Sequence, residues 1–280
     1  MIKKFYSIIL LIAIVSLHGV SLALAGSGLI PAGEAGAKTA LEKSPRHHEW
    51  VSIAVPNTEV KLSAFVAYPE RKVKAPVVIV IHEIYGLTDW IRGVADQLAG
   101  DGFIAIAPDL LSGRGSGGGG TEAFASRDDV VKAVRDLSTT QVGTMLDAVK
   151  SYGTSLPAAT QKFATIGFCW GGAQSFFYAT AQPGLNAAVV YYGTSPPIEA
   201  LATIRAPVLG LYGEDDARVT TTIGPAAEKM SQLGKVYFTH VYKGAGHGFL
   251  RAQEERNGAN QEASRKAWPA TIEFLRKNLE

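Results

Sequence analysis

The stretch Phe163-Ala164-Thr165-Ile166-Gly167-Phe168-Cys169-Trp170-Gly171-Gly172 carries the one cysteine of the chain. An apolar, β-prone run passes through that thiol into a segment that reads as helix, Ala173 to Thr180. This is the sequence shape of a strand–turn–helix elbow that presents a nucleophile, with cysteine where the commoner version has serine. Glycines belong there because strand and helix pass close to one another at so sharp a turn. No G-x-S-x-G occurs elsewhere to compete for the post. The bland reading of Cys169 is a small apolar core residue. The chemical one is a thiol attacking an acyl carbon, which needs a base because a free thiol is mostly protonated near neutral pH.

Three further constellations supply what such a nucleophile requires. Gly244-Ala245-Gly246-His247-Gly248-Phe249 presents a histidine between glycines, and Gly213-Glu214-Asp215-Asp216 offers a carboxylate to fix its tautomer. Nucleophile, then acid, then histidine is the chain order of the α/β-hydrolase triad. The third, His82-Glu83-Ile84-Tyr85-Gly86, follows a strand. In that fold this loop gives one N–H of an oxyanion hole and the residue after the nucleophile gives the other, which assigns Ile84 and Trp170. Glu83 is locally unfavourable in a site meant for an oxyanion. His82 lacks an i+4 histidine, so no metal is expected.

These residues need a scaffold that brings strand ends together. Val51 to Val55 and Lys61 to Tyr68 alternate as an antiparallel hairpin at a sheet edge. Val77 to Ile81 is a continuous β-branched run, the mark of a strand buried on both faces of a parallel sheet. Phe103 to Ala107, Ala187 to Tyr192, Val208 to Tyr212 and Val236 to Tyr242 repeat the pattern. Helical stretches fall near 88–98, 127–137, 141–152, 221–233 and 260–279. The expectation is an α/β fold, a mostly parallel sheet of about eight strands with helices on both faces. Its catalytic groups lie beyond the carboxyl ends of the strands. Ser112 to Gly120 is glycine-rich without the ending of a phosphate loop, and reads as flexible surface.

The chain has 280 residues, 47% hydrophobic and 19% charged with net charge +2, which suits one catalytic domain and gives no reason to expect nucleic acid. Residues 1–25 differ: Lys3 and Lys4 precede an apolar run, and Ala23-Leu24-Ala25 ends it, the pattern of a cleaved secretory signal. Residues 26–49 read as a poorly ordered tether, and 50–280 as the domain. The expected product is an exported monomer, periplasmic or secreted, without a membrane span. A lone unpaired cysteine in an oxidising compartment favours a chemical role over packing.

The motifs His82-Glu83-Ile84-Tyr85-Gly86, Ala107-Pro108-Asp109-Leu110, Gly167-Phe168-Cys169-Trp170-Gly171-Gly172, Gly213-Glu214-Asp215-Asp216 and His247-Gly248-Phe249 together resemble the dienelactone hydrolase family, over roughly Trp50 to Leu279. The resemblance implies the α/β-hydrolase fold and a triad of Cys169, His247 and Asp216. It implies that Glu83 bonds the resting thiol and swings away when substrate arrives. Arg251, four residues after the histidine, would bind a substrate carboxylate, with Arg127 as a second candidate and Tyr85 as a further contact. The reaction implied is cofactor-free hydrolysis of a lactone or activated ester through an acyl-enzyme, dienelactone (carboxymethylenebutenolide) being the name substrate. An export signal departs from the cytoplasmic enzymes of that pathway. The alternatives are a broad-specificity carboxylesterase and a catalytically silent binding protein on the same scaffold.

Overall fold

A computed structural model describes residues 30–280. The expected signal segment, residues 1–25, lies outside the described residues.

One eight-stranded sheet runs through the molecule in the order β1-β2-β4-β3-β5-β6-β7-β8. Strand β1 (His48–Ala54) pairs antiparallel with β2 (Lys61–Ala67), and β2 pairs antiparallel with β4 (Ile104–Pro108). From there β3 (Ala75–Ile81), β5 (Ala159–Phe168), β6 (Ala187–Tyr191), β7 (Val208–Asp215) and β8 (Tyr237–Gly246) continue the sheet in parallel. Every residue of β3 is buried, as its β-branched run requires of a central strand. β1 is an edge strand, as its alternation suggested.

Helices cover both faces. On one side α2 (Asp89–Gly100) and α8 (Ala259–Leu279) pack on Val78, Val80, Ala164 and Ile166. On the other, α4 (Thr139–Ser155), α5 (Trp170–Ala181) and α7 (Ile223–Gln232) pack on Val77, Ile79 and Ile81, with α3 (Arg127–Arg135) at the margin. The division follows from period two: successive residues of β3 face opposite layers. Among the described residues no helix is long and apolar enough to cross a membrane.

The segment expected to be a poorly ordered tether is a structured part of the fold from Glu34 onward. It holds α1 (Glu34–Glu42), whose Ala37 is buried. Behind α1, Asp96 of α2 accepts hydrogen bonds from Ser44 and Arg46 and also pairs with His48. In front, the Glu34 N–H donates to the Arg251 carbonyl at 2.9 Å. Long-range polar anchors, rather than a strong apolar face, hold this helix in place, which is why the sequence pattern did not reveal it.

The glycine-rich loop is exposed at its tip but tied at both ends. Asp109 accepts from Thr121 N–H at 2.6 Å and from its hydroxyl at 2.8 Å. Thr121 in turn accepts from Leu87 N–H at 3.1 Å, linking this loop to the one after β3.

Candidate active site

β5 runs into Cys169 and α5 departs from it. Cys169 has φ 55°, ψ −117°, a left-handed conformation that an L-residue adopts only where its surroundings impose it. Two glycines show what imposes it. A Cβ on Gly167 would lie 1.9 Å from the Gly171 carbonyl oxygen, and one on Gly171 would lie 2.3 Å from that of His82. Strand and helix backbones therefore touch directly. The Cys169 N–H donates to Tyr191 at 3.0 Å, fixing the turn against β6. Its side chain remains partly exposed.

Asp216 and His247 are brought together by the sheet. β7 and β8 pair in parallel out to Asp215 opposite Gly246, so the residue that follows each strand emerges at the same level. His247 Nδ1 meets Asp216 Oδ2 at 2.5 Å. Asp216 is buried behind the ring, with 8% of its side chain exposed against 33% for His247. Burial works against a charged imidazole. The hydrogen bond to Asp216, the interaction with Cys169 and the charges of both outweigh it and push His247 up to about 9. Tyr192 closes the other side, its ring edge-on to His247 at 5.2 Å.

Glu83 is buried on the loop after β3, and burial raises its carboxyl above the ordinary value against the pull of Arg251 and His247. Its Oε2 lies 2.8 Å from Arg251 Nε, without hydrogen-bond alignment of that N–H, so the contact is an ion pair. The resemblance implies a resting bond from Glu83 to the thiol; here the carboxylate lies against Arg251 instead. Neither the Ile84 nor the Trp170 N–H donates to an acceptor among the described residues. Trp170 stacks on His82 at 5.6 Å. His82 is fully buried, with Nδ1–H donating to the Glu83 carbonyl at 2.8 Å and Nε2 accepting from Leu110 at 3.3 Å. Both ring nitrogens are thereby engaged in holding the loop.

Arg251, Arg127 and Tyr85 also meet. The Arg127 and Arg251 guanidinium carbons lie 3.6 and 5.4 Å from the centre of the Tyr85 ring. Glu34 contacts both arginines, Arg251 through Nη1 and Arg127 through Nη2 at 3.5 Å. Burial would lower the Arg251 pKa, but Glu83 and Glu34 raise it.

Sequence reasoning missed two of these residues. Tyr192, fully buried with φ 39°, sits at the carboxyl end of β6, where position alone could have flagged it. Glu34 gave no local signal, since its partners lie far along the chain.

A sequence model of the dienelactone hydrolase family matches residues 62–279. A provisionally named carboxymethylenebutenolidase of Saccharolobus solfataricus is 30% identical over 78% of this chain and 94% of its own length. One from Salmonella typhimurium is 30% identical over 79% of this chain and 85% of its own. Among solved structures, a provisionally named dienelactone hydrolase from Klebsiella pneumoniae superposes with a TM-score of 0.70 at 28% identity, covering 81% of this chain and 98% of its own. The eight-stranded sheet is that of the α/β-hydrolase fold, and the chain belongs to the dienelactone hydrolase family.

Proposed function

We propose that this hydrolase opens lactones and activated carboxylic esters through a cysteine nucleophile and a thioester acyl-enzyme. Cys169 gives its proton to His247 and its sulfur attacks the acyl carbon. The carbonyl electron pair moves onto oxygen, where the N–H groups of Ile84 and Trp170 receive it. Collapse breaks the bond to the leaving oxygen, which takes the proton from His247; in a lactone that hydroxyl stays attached to the acyl chain. Water then attacks the thioester and passes a proton to His247, releasing the acid and the thiol. Asp216 holds the imidazole in the tautomer that faces the sulfur.

The observation that carries this reading is Asp216 behind His247 at 2.5 Å, with Cys169 acting on the same ring from a strained elbow. The names of the relatives support the ester or lactone class. A panel of γ-lactones, enol-lactones and p-nitrophenyl esters, assayed with wild type and Cys169→Ala, tests it. Hydrolysis lost in the variant is the expected result. Equal rates in both would overturn the cysteine mechanism, and no turnover of any substrate would favour a binding protein.

We also propose that the protein is exported and that the chain begins near Gly26 once its signal is removed. Amino-terminal sequencing of protein recovered from outside the cytoplasm tests this, and an intact Met1 would contradict it.

A further inference from the structure

We propose that Glu34 is a specificity-determining residue: a carboxylate from the chain itself occupies the Arg251–Arg127 pair and turns the site toward uncharged acyl groups. The inference rests on the hydrolase reading above and goes beyond it in assigning the substrate's charge.

Arg251 belongs to the catalytic cluster. Its Nε lies 2.8 Å from Glu83, and it acts on Tyr192, which in turn packs on His247. Two guanidiniums stacked on Tyr85 would make a receptor for an anionic group, since arginine matches carboxylate in charge and in its forked donor geometry. The receptor is already engaged. Glu34 Oε2 contacts Arg251 Nη1, and Oε1 lies 3.5 Å from Arg127 Nη2. Glu34 and Glu83 thus set two carboxylates against two arginines, leaving no net positive charge for an incoming anion. A substrate carboxylate would have to displace Glu34 or accept a like charge beside it.

Glu34 is built into this position. Its own N–H donates to the Arg251 carbonyl at 2.9 Å, and Gln253 donates to the Pro31 carbonyl at 2.8 Å. A Cβ on Gly33 would come within 3.2 Å of that same Arg251 oxygen, so the two backbones run in contact. The Asp96 cluster pins the far end of α1. Glu34 nevertheless keeps 43% of its side chain exposed and Arg127 58%, and Glu34 and Arg251 both line a solvent-open cleft. Glu34 also precedes residue 62, where the match to the family begins. The residue that neutralises the arginines lies outside the residues matched by the family.

The test compares an uncharged and an anionic substrate of similar shape, p-nitrophenyl butyrate and mono-p-nitrophenyl succinate, in wild type and Glu34→Gln. The expected result is a roughly tenfold rise in the ratio of kcat/KM for the succinate over the butyrate, as a like charge is removed. An unchanged ratio would overturn the proposal. Calorimetric binding of monomethyl glutarate to Cys169→Ala, with and without Glu34→Gln, reads the same effect without turnover. If neither ester is hydrolysed by wild type, the hydrolase reading fails, while tighter glutarate binding in the double variant still supports the role of Glu34. If both esters are hydrolysed and neither ratio nor binding responds, the Glu34 assignment falls alone. Should Glu34→Gln melt early, Glu34→Asp keeps the charge and shortens its reach, and a partial rise in the ratio is expected of it; no rise counts against the proposal.

Discussion

Asp215 and Gly246 are register partners in the parallel pairing of β7 with β8, and that pairing sets Asp216 beside His247. Two residues 31 positions apart in sequence are aligned by backbone hydrogen bonds of the sheet, so the carboxylate–imidazole contact does not depend on a mobile loop finding its place.

The alignment has a consequence for pH. His247 is raised from 6.5 to about 9, so through neutral pH the ring holds the proton it takes from Cys169, and it loses that proton as pH rises through about 9. The acylation rate, kcat/KM, is expected to decline across that range as the proton donor to the leaving group disappears. On acylation the proton passes from the ring to the leaving oxygen, which frees His247 to act as a base toward water. Asp216→Asn removes another support. The alkaline limb should move to lower pH and the maximum rate fall by about 10²–10⁴. A pH–rate profile of the variant with its limb unmoved would contradict this. The sign for stability is the same: protonation of His247 stabilises the fold below 6.5 and ceases to do so through about 9.

Gly171→Ala should destabilise the protein by about 2–3 kcal/mol, because the added carbon would meet backbone atoms of Ile81 and His82 at 2.4 and 2.3 Å, and neither can swing aside. Urea unfolding followed by fluorescence measures it. A midpoint equal to wild type would show that the elbow has room for a Cβ at this position.

Glu83 is expected to trade stability for activity. Its carboxyl is raised by burial, so the ionised form opposes folding at neutral pH; protonation favours folding at low pH, and that contribution is lost as pH rises through the folded-state value. Glu83→Gln keeps the shape and removes the charge, while Arg251 retains Glu34. The variant should melt higher than wild type at pH 7, by a margin that shrinks toward pH 4.5, and hydrolyse more slowly. A lower melting temperature at pH 7 would mean that the ion pair with Arg251 outweighs desolvation.

What the sequence disclosed follows physical locality. Most of β3, Val77 to Ile81, could be read from its own residues, because a strand buried on both faces leaves an unbroken apolar run; the strand itself begins at Ala75. The elbow was legible in part because Gly167 answers to a contact only four residues on, at Gly171, whereas Gly171 itself answers to Ile81 and His82 far back in the chain. β8 was read as ending near Tyr242 but continues to Gly246, held by pairing with β7 where its side chains are mostly exposed and show no alternation. α1 and Glu34 stayed hidden for a related reason: the helix buries only Ala37, and Glu34 finds its partner 217 positions away. Tyr192 owes its place to a positive φ at a strand end, which no pattern of residue types announces.

Trapping the acyl-enzyme decides whether Cys169 is the nucleophile. Wild type mixed with excess p-nitrophenyl acetate and quenched in acid within milliseconds should carry one acetyl group per chain, located by peptide mass spectrometry on Cys169, with a burst of p-nitrophenol of equal amount. Acetyl found on another residue, or steady hydrolysis by Cys169→Ala at the wild-type rate, would contradict it.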